Sequence, residues 1–522
     1  MNQIVLSTKR RLIGVPSDAA LKALQPTAPE IDINGVIFLM MPHDETATHC
    51  LRYHGHEAPA PILSYYEWPG GQTPFEVQKK TCELLTLNPR AYVLNSMGTG
   101  KTKSALWAWD YLRKQGLAGK LLVVAPLSTL LFTWAREVFA TIPHRKHAIL
   151  HGDKAKRLER LADPEVEVFI INHDGIGVII DELSARTDID CLVLDELAVY
   201  RNPGTARFKQ MRKYAAKMKW AWGMTGAPIP NSPTDAWAQC SIITPGRVPK
   251  FFGRFRDEVM IKVAQFKYVP KADAVDKVYT VMRPAVRFTL DDIKELPEVV
   301  FRTMDVGMGP VQTKAYKDLA NDLYAMVQNK VITAANVGVA MNKLLQVALG
   351  WVYTSTRGIV LLDNNERIEA LIDAINSTDR KVLVFSPFKH CLDGIGKALD
   401  KEQIEYATVS GDTPAGARAD IFNAFQNSSE YRVINAHPKC LAHGLTLTEA
   451  NTIVWFGPTL SLETFDQANA RIRRVGQTHK QQVILLQGTE VESRIYAMLR
   501  NKHLVQEKLL GLFEEATRYF PE

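Results

Sequence analysis

Asn95-Ser-Met-Gly-Thr-Gly-Lys-Thr102 follows a short apolar run, Tyr92-Val-Leu94, and leads into 103–112, where apolar residues recur at helical spacing. A glycine-bearing turn between a strand and a helix is a phosphate cradle. Gly98, Thr99 and Gly100 let backbone N–H groups curl around an anion, and Lys101 adds a fixed charge for β- and γ-phosphates. The Thr102 hydroxyl suits Mg²⁺. Asn95 stands where the full P-loop pattern begins with Gly, so taken alone the run is also compatible with a chance glycine turn.

Working outward, a second signal sits about a hundred residues downstream. Cys191-Leu-Val-Leu-Asp-Glu196 is an apolar strand that delivers two carboxylates to its C-terminal tip, the end at which open α/β sheets bind ligands. Of Asp195 and Glu196, one carboxylate can hold Mg²⁺ through water, and its neighbour can orient or deprotonate the attacking water. A strand ending in two acids can also be an ordinary solvated cap; behind a P-loop the pair reads as ATPase equipment.

The rest of the chain sets the frame. Its 522 residues are 46% hydrophobic, enough for two or three domains with their own cores. No apolar run approaches the ~20 residues of a membrane span, and the first residues lack a signal-peptide pattern, so no membrane partner and a cytoplasmic location are expected, the host cytoplasm if the source is viral. The six cysteines lie far apart without a C-x-x-C pair, so neither a disulfide framework nor a cysteine zinc site is indicated. His43, His49, Cys50, His54 and His56 cluster in sequence, but their spacing fits no standard ligand pattern. A net charge of +7 is compatible with a polyanionic partner without proving one. Basic concentrations at Lys154 to Arg157, Arg201, Arg207 to Lys219 and Arg471 to Arg474 can each be read as a solvated helix face.

Strand-like and helix-like segments alternate in two stretches, which predicts an α/β fold with two parallel-sheet lobes. The expected division is an N-terminal module over 1–72 with a strand at 35–41, a first lobe over 73–246, a helical inter-lobe region over 247–363 with a helix at 311–327, and a second lobe with a C-terminal helix over 364–522. First-lobe strands are expected at 92–95, 121–125, 168–172, 191–194 and 220–224. Second-lobe strands are expected at 382–386, 406–409, 432–436, 452–456 and 482–487.

Taken in order, Thr73-Pro-Phe-Glu-Val-Gln78, the P-loop, APLSTLLFTW (125–134), LDELAVYRNPGT (194–205), TGAPIPN (225–231) and QANARIRRVGQ (467–477) resemble the motifs of Swi/Snf-type helicase-like ATPases in helicase superfamily two. The Arg-Val-Gly-Gln ending is the most specific of these. Met282-Arg-Pro, Lys294-Glu-Leu-Pro297, VLVFSPF (382–388) and His443-Gly-Leu-Thr-Leu447 extend the resemblance over roughly residues 73 to 500. It implies two RecA-like lobes, with Gln78 reading the adenine edge and Lys101, Thr102, Asp195 and Glu196 holding Mg²⁺, ATP and the water. It also implies that Gln467, Arg471 and Arg474 act from the second lobe at the γ-phosphate, and that Ser128, Thr129, Thr446 and Thr448 touch a nucleic-acid backbone.

Arginine suits that task because its planar, always-charged fork stabilises charge spread over phosphoryl oxygens. The small hydroxyls fit phosphates and carry no sequence information. Leu197 and Ala198, Ala227 and Pro230, and Thr446 depart from the usual family residues at positions tied to coupling hydrolysis with movement. The compact chain fits a viral or bacterial member. The leading expectation is an ATP-dependent translocase on double-stranded DNA. The alternatives are a strand-separating helicase on DNA or RNA, with single-stranded DNA or RNA as its partner, and a non-motor ATP switch that binds DNA or a protein; no protein partner is identified.

Overall fold

In a computed structural model of the chain the described residues are 4–71, 73–265, 267–293, 297–328, 334–353, 358–441, 447–474 and 477–501. They divide into two compact units, one running through Ile293 and one from there onward.

The first unit is built on a seven-stranded, all-parallel sheet. Its spatial order is Ala285–Val286, Arg90–Val93, Trp220–Met224, Ile189–Asp195, Lys120–Ala125, Val168–Asn172 and His147–Ile149. Successive residues feed two different cores: Tyr92, Leu122 and Val124 pack on one face, while Ala91, Val93, Leu121 and Val123 pack on the other. Burial on both faces explains why these strands read as continuous apolar runs with no alternation. The helix Lys101–Lys114 carries Asp110, which is fully buried. Tyr66, His144 and Arg145 all donate to its carboxylate, at 2.7, 3.0 and 2.7 Å. Burial alone would raise this pKa, and the hydrogen bonds from Tyr66 and Arg145, with the charge of Arg145, bring it below the ordinary carboxylate value.

The second unit has a six-stranded parallel sheet in the order Val299–Asp305, Gln481–Gln487, Ala450–Trp455, Lys381–Phe385, Val433–Ala436 and Tyr406–Val409. Leu383 and Phe385 face one core and Val382 and Val384 the other. An ion pair is sealed inside this unit. Arg367 Nη2 lies 2.9 Å from the Glu492 carboxylate, with side-chain exposures of 1% and 0%, and Arg367 Nη1 also donates to the Phe456 carbonyl at 2.6 Å.

All ten expected strands form. The expected segment 247–363 does not stand apart, because two strands from its middle are claimed by the two sheets: Ala285–Val286 pairs with Arg90–Val93 in the first, and Val299–Asp305 pairs with Gln481–Gln487 in the second. Its helices Pro310–Gln328 and Ala334–Leu349 belong to the second unit. It also contains an antiparallel ribbon, Met260–Ala264 with Lys267–Pro270, where helix was expected.

The N-terminal module is a four-stranded antiparallel sheet, ordered Val5–Ser7, Leu12–Pro16, Val36–Pro42, Glu30–Ile33. It reaches only to about Ala58, since Ala60, Ile62 and Tyr66 already pack in the first lobe's core. Two of its histidines serve as fasteners: His43 Nδ1 meets the Tyr65 hydroxyl at 2.9 Å and its Nε2 the Pro59 carbonyl at 2.8 Å, and His49 Nε2 meets the Leu87 carbonyl at 2.7 Å. The chain is helical over 490–501; the rest of the expected C-terminal helix, and Lys294, Glu295 and Leu296 of the expected motif, lie outside the described residues. Among the described residues no helix is long and apolar enough to cross a membrane.

Candidate active site

Three neighbouring strands of the first sheet set the site. Met224 pairs with Val93 on one side and with Asp195 on the other, so the P-loop and the acidic pair emerge level with each other, one strand apart, at the carboxyl edge where α/β sheets take ligands.

The loop Asn95 to Gly100 is held open by its glycines. Gly98 and Gly100 both lie in the left-handed region, at φ 87° and 85°. A Cβ on Gly100 would stand 2.0 Å from Gln78 Nε2, and one on Gly98 3.2 Å from Leu290. Gln78 itself is buried, accepting from Phe75 N at 3.0 Å and donating to the Thr99 carbonyl at 3.3 Å. Asn95, the departure from the usual Gly, is the loop's buried anchor. Its amide donates to Thr81 Oγ1 at 3.0 Å and its carbonyl oxygen accepts from Phe288 N at 2.9 Å.

Lys101 Nζ donates to the Asn95 and Ser96 carbonyls at 2.8 and 3.3 Å. No side chain caps the helix that begins at Lys101, which leaves its first turn of backbone N–H groups suited to an anion. Thr102 is half-buried, whereas Thr99 is buried and spends its hydroxyl on the Ser96 carbonyl at 2.9 Å.

Opposite this loop, Trp134 Nε1 donates to Asp195 Oδ2 at 2.9 Å. Trp134 lies on a wide helical turn with i→i+5 bonding, Leu130–Ala135, a rare form that is frequent at functional sites. Burial raises the Asp195 pKa; the Trp134 hydrogen bond and the nearby charge of Lys101 only partly offset it. Such a desolvated carboxylate gains from a cation, so these residues fit a phosphate-bound Mg²⁺. Glu196 takes φ 51°, a left-handed conformation that a non-glycine residue adopts only under constraint. Leu197 and Ala198 are buried, and a Cβ on Gly223 would meet Leu197 Cδ2 at 2.5 Å. Leu197 is therefore a packing residue above the central strand.

In the second unit, Arg471 is fully buried and its Nε donates to the Gln467 carbonyl at 2.7 Å. Gln467 is also buried, on the helix Leu462–Asn469. Arg474 is so desolvated that its pKa falls to about 10. Arg471 is thus no solvated helix residue, and Arg474 is half-buried. Gln477 fastens this turn to the sheet: its Nε2 donates to the Thr448, Ala450 and Ile472 carbonyls at 3.1, 2.9 and 3.2 Å.

Of the expected backbone contacts, Ser128 is exposed, while Thr129 is buried with its hydroxyl donating to the Pro126 carbonyl at 2.9 Å. Thr448 Oγ1 accepts from Gln426 Nε2 at 3.0 Å. Thr446 lies outside the described residues. Sequence reasoning assigned no role to Trp134 or Gln477 and gave Asn95 none beyond its departure from Gly; both Trp134 and Gln477 stood at the ends of motifs, the one available signal.

Comparison with known proteins gives the same order of parts. The family model of the SNF2-related domain matches residues 90–352, and that of the helicase conserved C-terminal domain matches 366–476. The chain is 26% identical to protein p41 of Acyrthosiphon pisum secondary endosymbiont phage 1, over 75% of this chain and 86% of that one. It is 24% identical to a SWI/SNF-related matrix-associated actin-dependent regulator of chromatin subfamily A-like protein 1 of Xenopus laevis, over 79% of this chain but 41% of that protein's length. Among solved structures, the Sulfolobus solfataricus SWI2/SNF2 ATPase core in complex with dsDNA aligns over 87% of this chain and 96% of its own, with 21% identity and a TM-score of 0.42.

Proposed function

The chain belongs to the SNF2-related family of helicase-like ATPases, and from that premise we propose that it hydrolyses ATP to move along double-stranded DNA. One observation carries the nucleotide part of this reading: the desolvated Asp195 carboxylate sits in the field of Lys101, at the carboxyl edge of the sheet that also bears the P-loop.

In this reading Lys101 leaves the Asn95 and Ser96 carbonyls to bind the β- and γ-phosphates, and the backbone N–H groups of Gly98 to Thr102 line the polyphosphate. Gln78, already fixed against Thr99, reads the base. Thr102 and Asp195 would hold Mg²⁺, which when bound supplies positive charge to the phosphoryl oxygens. Trp134 keeps Asp195 oriented, and Glu196 positions the attacking water and takes its proton. Gln467, Arg471 and Arg474 serve the same reaction from the second lobe, with the guanidinium of Arg474 stabilising charge on the transferred phosphoryl group.

Family membership and the chromatin-related name of the Xenopus relative support DNA as the track. Ser128, Thr446 and Thr448 are proposed backbone contacts, which give movement without sequence preference. ATP turnover measured in parallel with duplex DNA, single-stranded DNA and RNA tests this. Stimulation by duplex is expected. Stimulation by single strands or RNA alone would favour strand separation, and none at all would favour a non-motor switch.

A further inference from the structure

The antiparallel ribbon formed by Met260–Ala264 and Lys267–Pro270 forms a sheet of its own, apart from the first lobe's main sheet. Its root is fixed. The preceding helix buries Phe255 and Val259, and the following one buries Ala274, Val275 and Val278. Lys271 N bonds the Val259 carbonyl at 2.9 Å. Ser232 Oγ lies 3.8 Å from Met260 Sδ, which ties the root to the loop that leaves the carboxyl end of the Trp220–Met224 strand.

Beyond that root the ribbon is covered by little. Ile261, Val263 and Val269 are 49%, 52% and 37% exposed, and Lys262 and Lys267 are exposed as well. Ile261 stands directly across from Val269, so both project from one face; Lys262 stands across from Tyr268 on the other. Arg256 lies over the Tyr268 ring, 4.5 Å from its centroid. A register shift between Lys262 and Ala264 marks a bulge, which increases local twist. Residues 250–271 hold six basic side chains against two acidic ones, Asp257 and Glu258.

A two-stranded ribbon with both faces in water has little stability of its own, and exposed β-branched side chains on it are a liability without a partner. The basic excess selects a polyanion as that partner. The dimensions select further, since the major groove of B-DNA admits a two-stranded β-ribbon. We propose that the ribbon of Met260–Ala264 and Lys267–Pro270 is a duplex-DNA contact of the first lobe, with Lys262 and Lys267 on phosphates and the Ile261–Val269 face against the groove. This rests on the duplex-DNA reading above. Its root on the 225–232 loop gives the contact a physical link to the nucleotide edge of the sheet.

The test compares the parent with Lys262→Ala/Lys267→Ala and with Ile261→Ser/Val269→Ser in the full chain. Binding to a short duplex is measured across a range of salt, alongside DNA-free ATP turnover and thermal melting. Loss of two phosphate contacts should weaken duplex binding about tenfold or more near physiological salt and flatten the slope of log K against log salt by about 2. The apolar variant should lose affinity with its slope unchanged. Melting and DNA-free turnover should match the parent in both. If the parent binds duplex and both variants bind it equally well, the ribbon proposal is overturned and the exposed apolar pair belongs to a protein partner. If the parent itself binds no duplex, the broader DNA reading fails first and the ribbon proposal with it.

Discussion

Trp134 Nε1 donates to Asp195 Oδ2 at 2.9 Å, across 61 positions of sequence. That bond donates to a carboxylate whose charge is disfavoured by burial. The sign is opposite to that of an ordinary salt-bridged aspartate. Its folded pKa lies above the unfolded value, so as pH rises between the two the unfolded chain ionises first, and ionisation lowers stability.

Trp134→Phe keeps the ring in the core and removes the donor, a contact to a charged group worth about 2 kcal/mol. The Asp195 pKa should rise further, moving the acid limb of the pH–rate profile to higher pH. Turnover at limiting Mg²⁺ should fall about 10- to 100-fold, with partial recovery as Mg²⁺ is raised. A profile that superimposes on the parent's at every Mg²⁺ concentration would remove Trp134 from the site.

Gly100 is constrained twice, by its φ of 85° and by Gln78 Nε2 at 2.0 Å from an added Cβ. Gly100→Ala should lower stability by about 1–2 kcal/mol from backbone strain alone and weaken nucleotide binding by displacing Gln78. Combining it with Gln78→Ala removes the clashing atom, so the double variant should melt above Gly100→Ala. Additive destabilisation in this cycle would show that Gln78 does not set the limit.

Arg474 remains charged at neutral pH although burial brings its pKa to about 10. Arg474→Ala should leave ATP binding nearly intact and slow single-turnover hydrolysis on the order of 10³-fold. Arg474→Lys should rescue poorly, since a lysine starts from about 10.4 and the same burial would bring it toward about 8. Its residual activity should therefore decline as pH rises from about 7 to 9, a limb the parent lacks. Full activity of the lysine variant across that range would contradict the role.

The Arg367–Glu492 pair offers a stability test away from chemistry. Arg367→Ala removes the counter-charge of a buried carboxylate that also accepts from Gly488 N and Thr489 Oγ1 and should cost about 3–5 kcal/mol, while Arg367→Met with Glu492→Leu should recover part of that loss. Chemical denaturation followed in the second lobe reads both. A single variant no less stable than the double one would mean that the pair is not sealed from water.

Nine of the ten expected strands lie inside the two sheets and were legible because parallel strands buried on both faces read as plain apolar runs; the tenth, Tyr406–Val409, is an edge strand with alternate residues buried. Edge elements were harder. Val299–Asp305 is mostly exposed, Ala285–Val286 is only two residues long, and the ribbon of Met260–Ala264 and Lys267–Pro270 lacks the buried face that alternation detects. In the site, the P-loop and Asp195-Glu196 were local in sequence and could be read directly. The Trp134–Asp195 bond and the Asn95 anchor depend on chain segments far apart, which no local pattern reports. Arg471 and Arg474 were open to reading as a solvated basic face; Arg471 is fully buried, and Arg474 is half-buried with its guanidinium desolvated.

The central claim is that ATP hydrolysis drives movement on duplex DNA, and displacement of a third strand from a triple helix measures it most directly. With a duplex arm beside the triplex, the parent should release the third strand with ATP but not with a non-hydrolysable analogue, and Lys101→Ala should release none. Rapid, duplex-stimulated ATP hydrolysis with no release above the analogue control would contradict the account, leaving an ATPase that binds DNA without travelling along it.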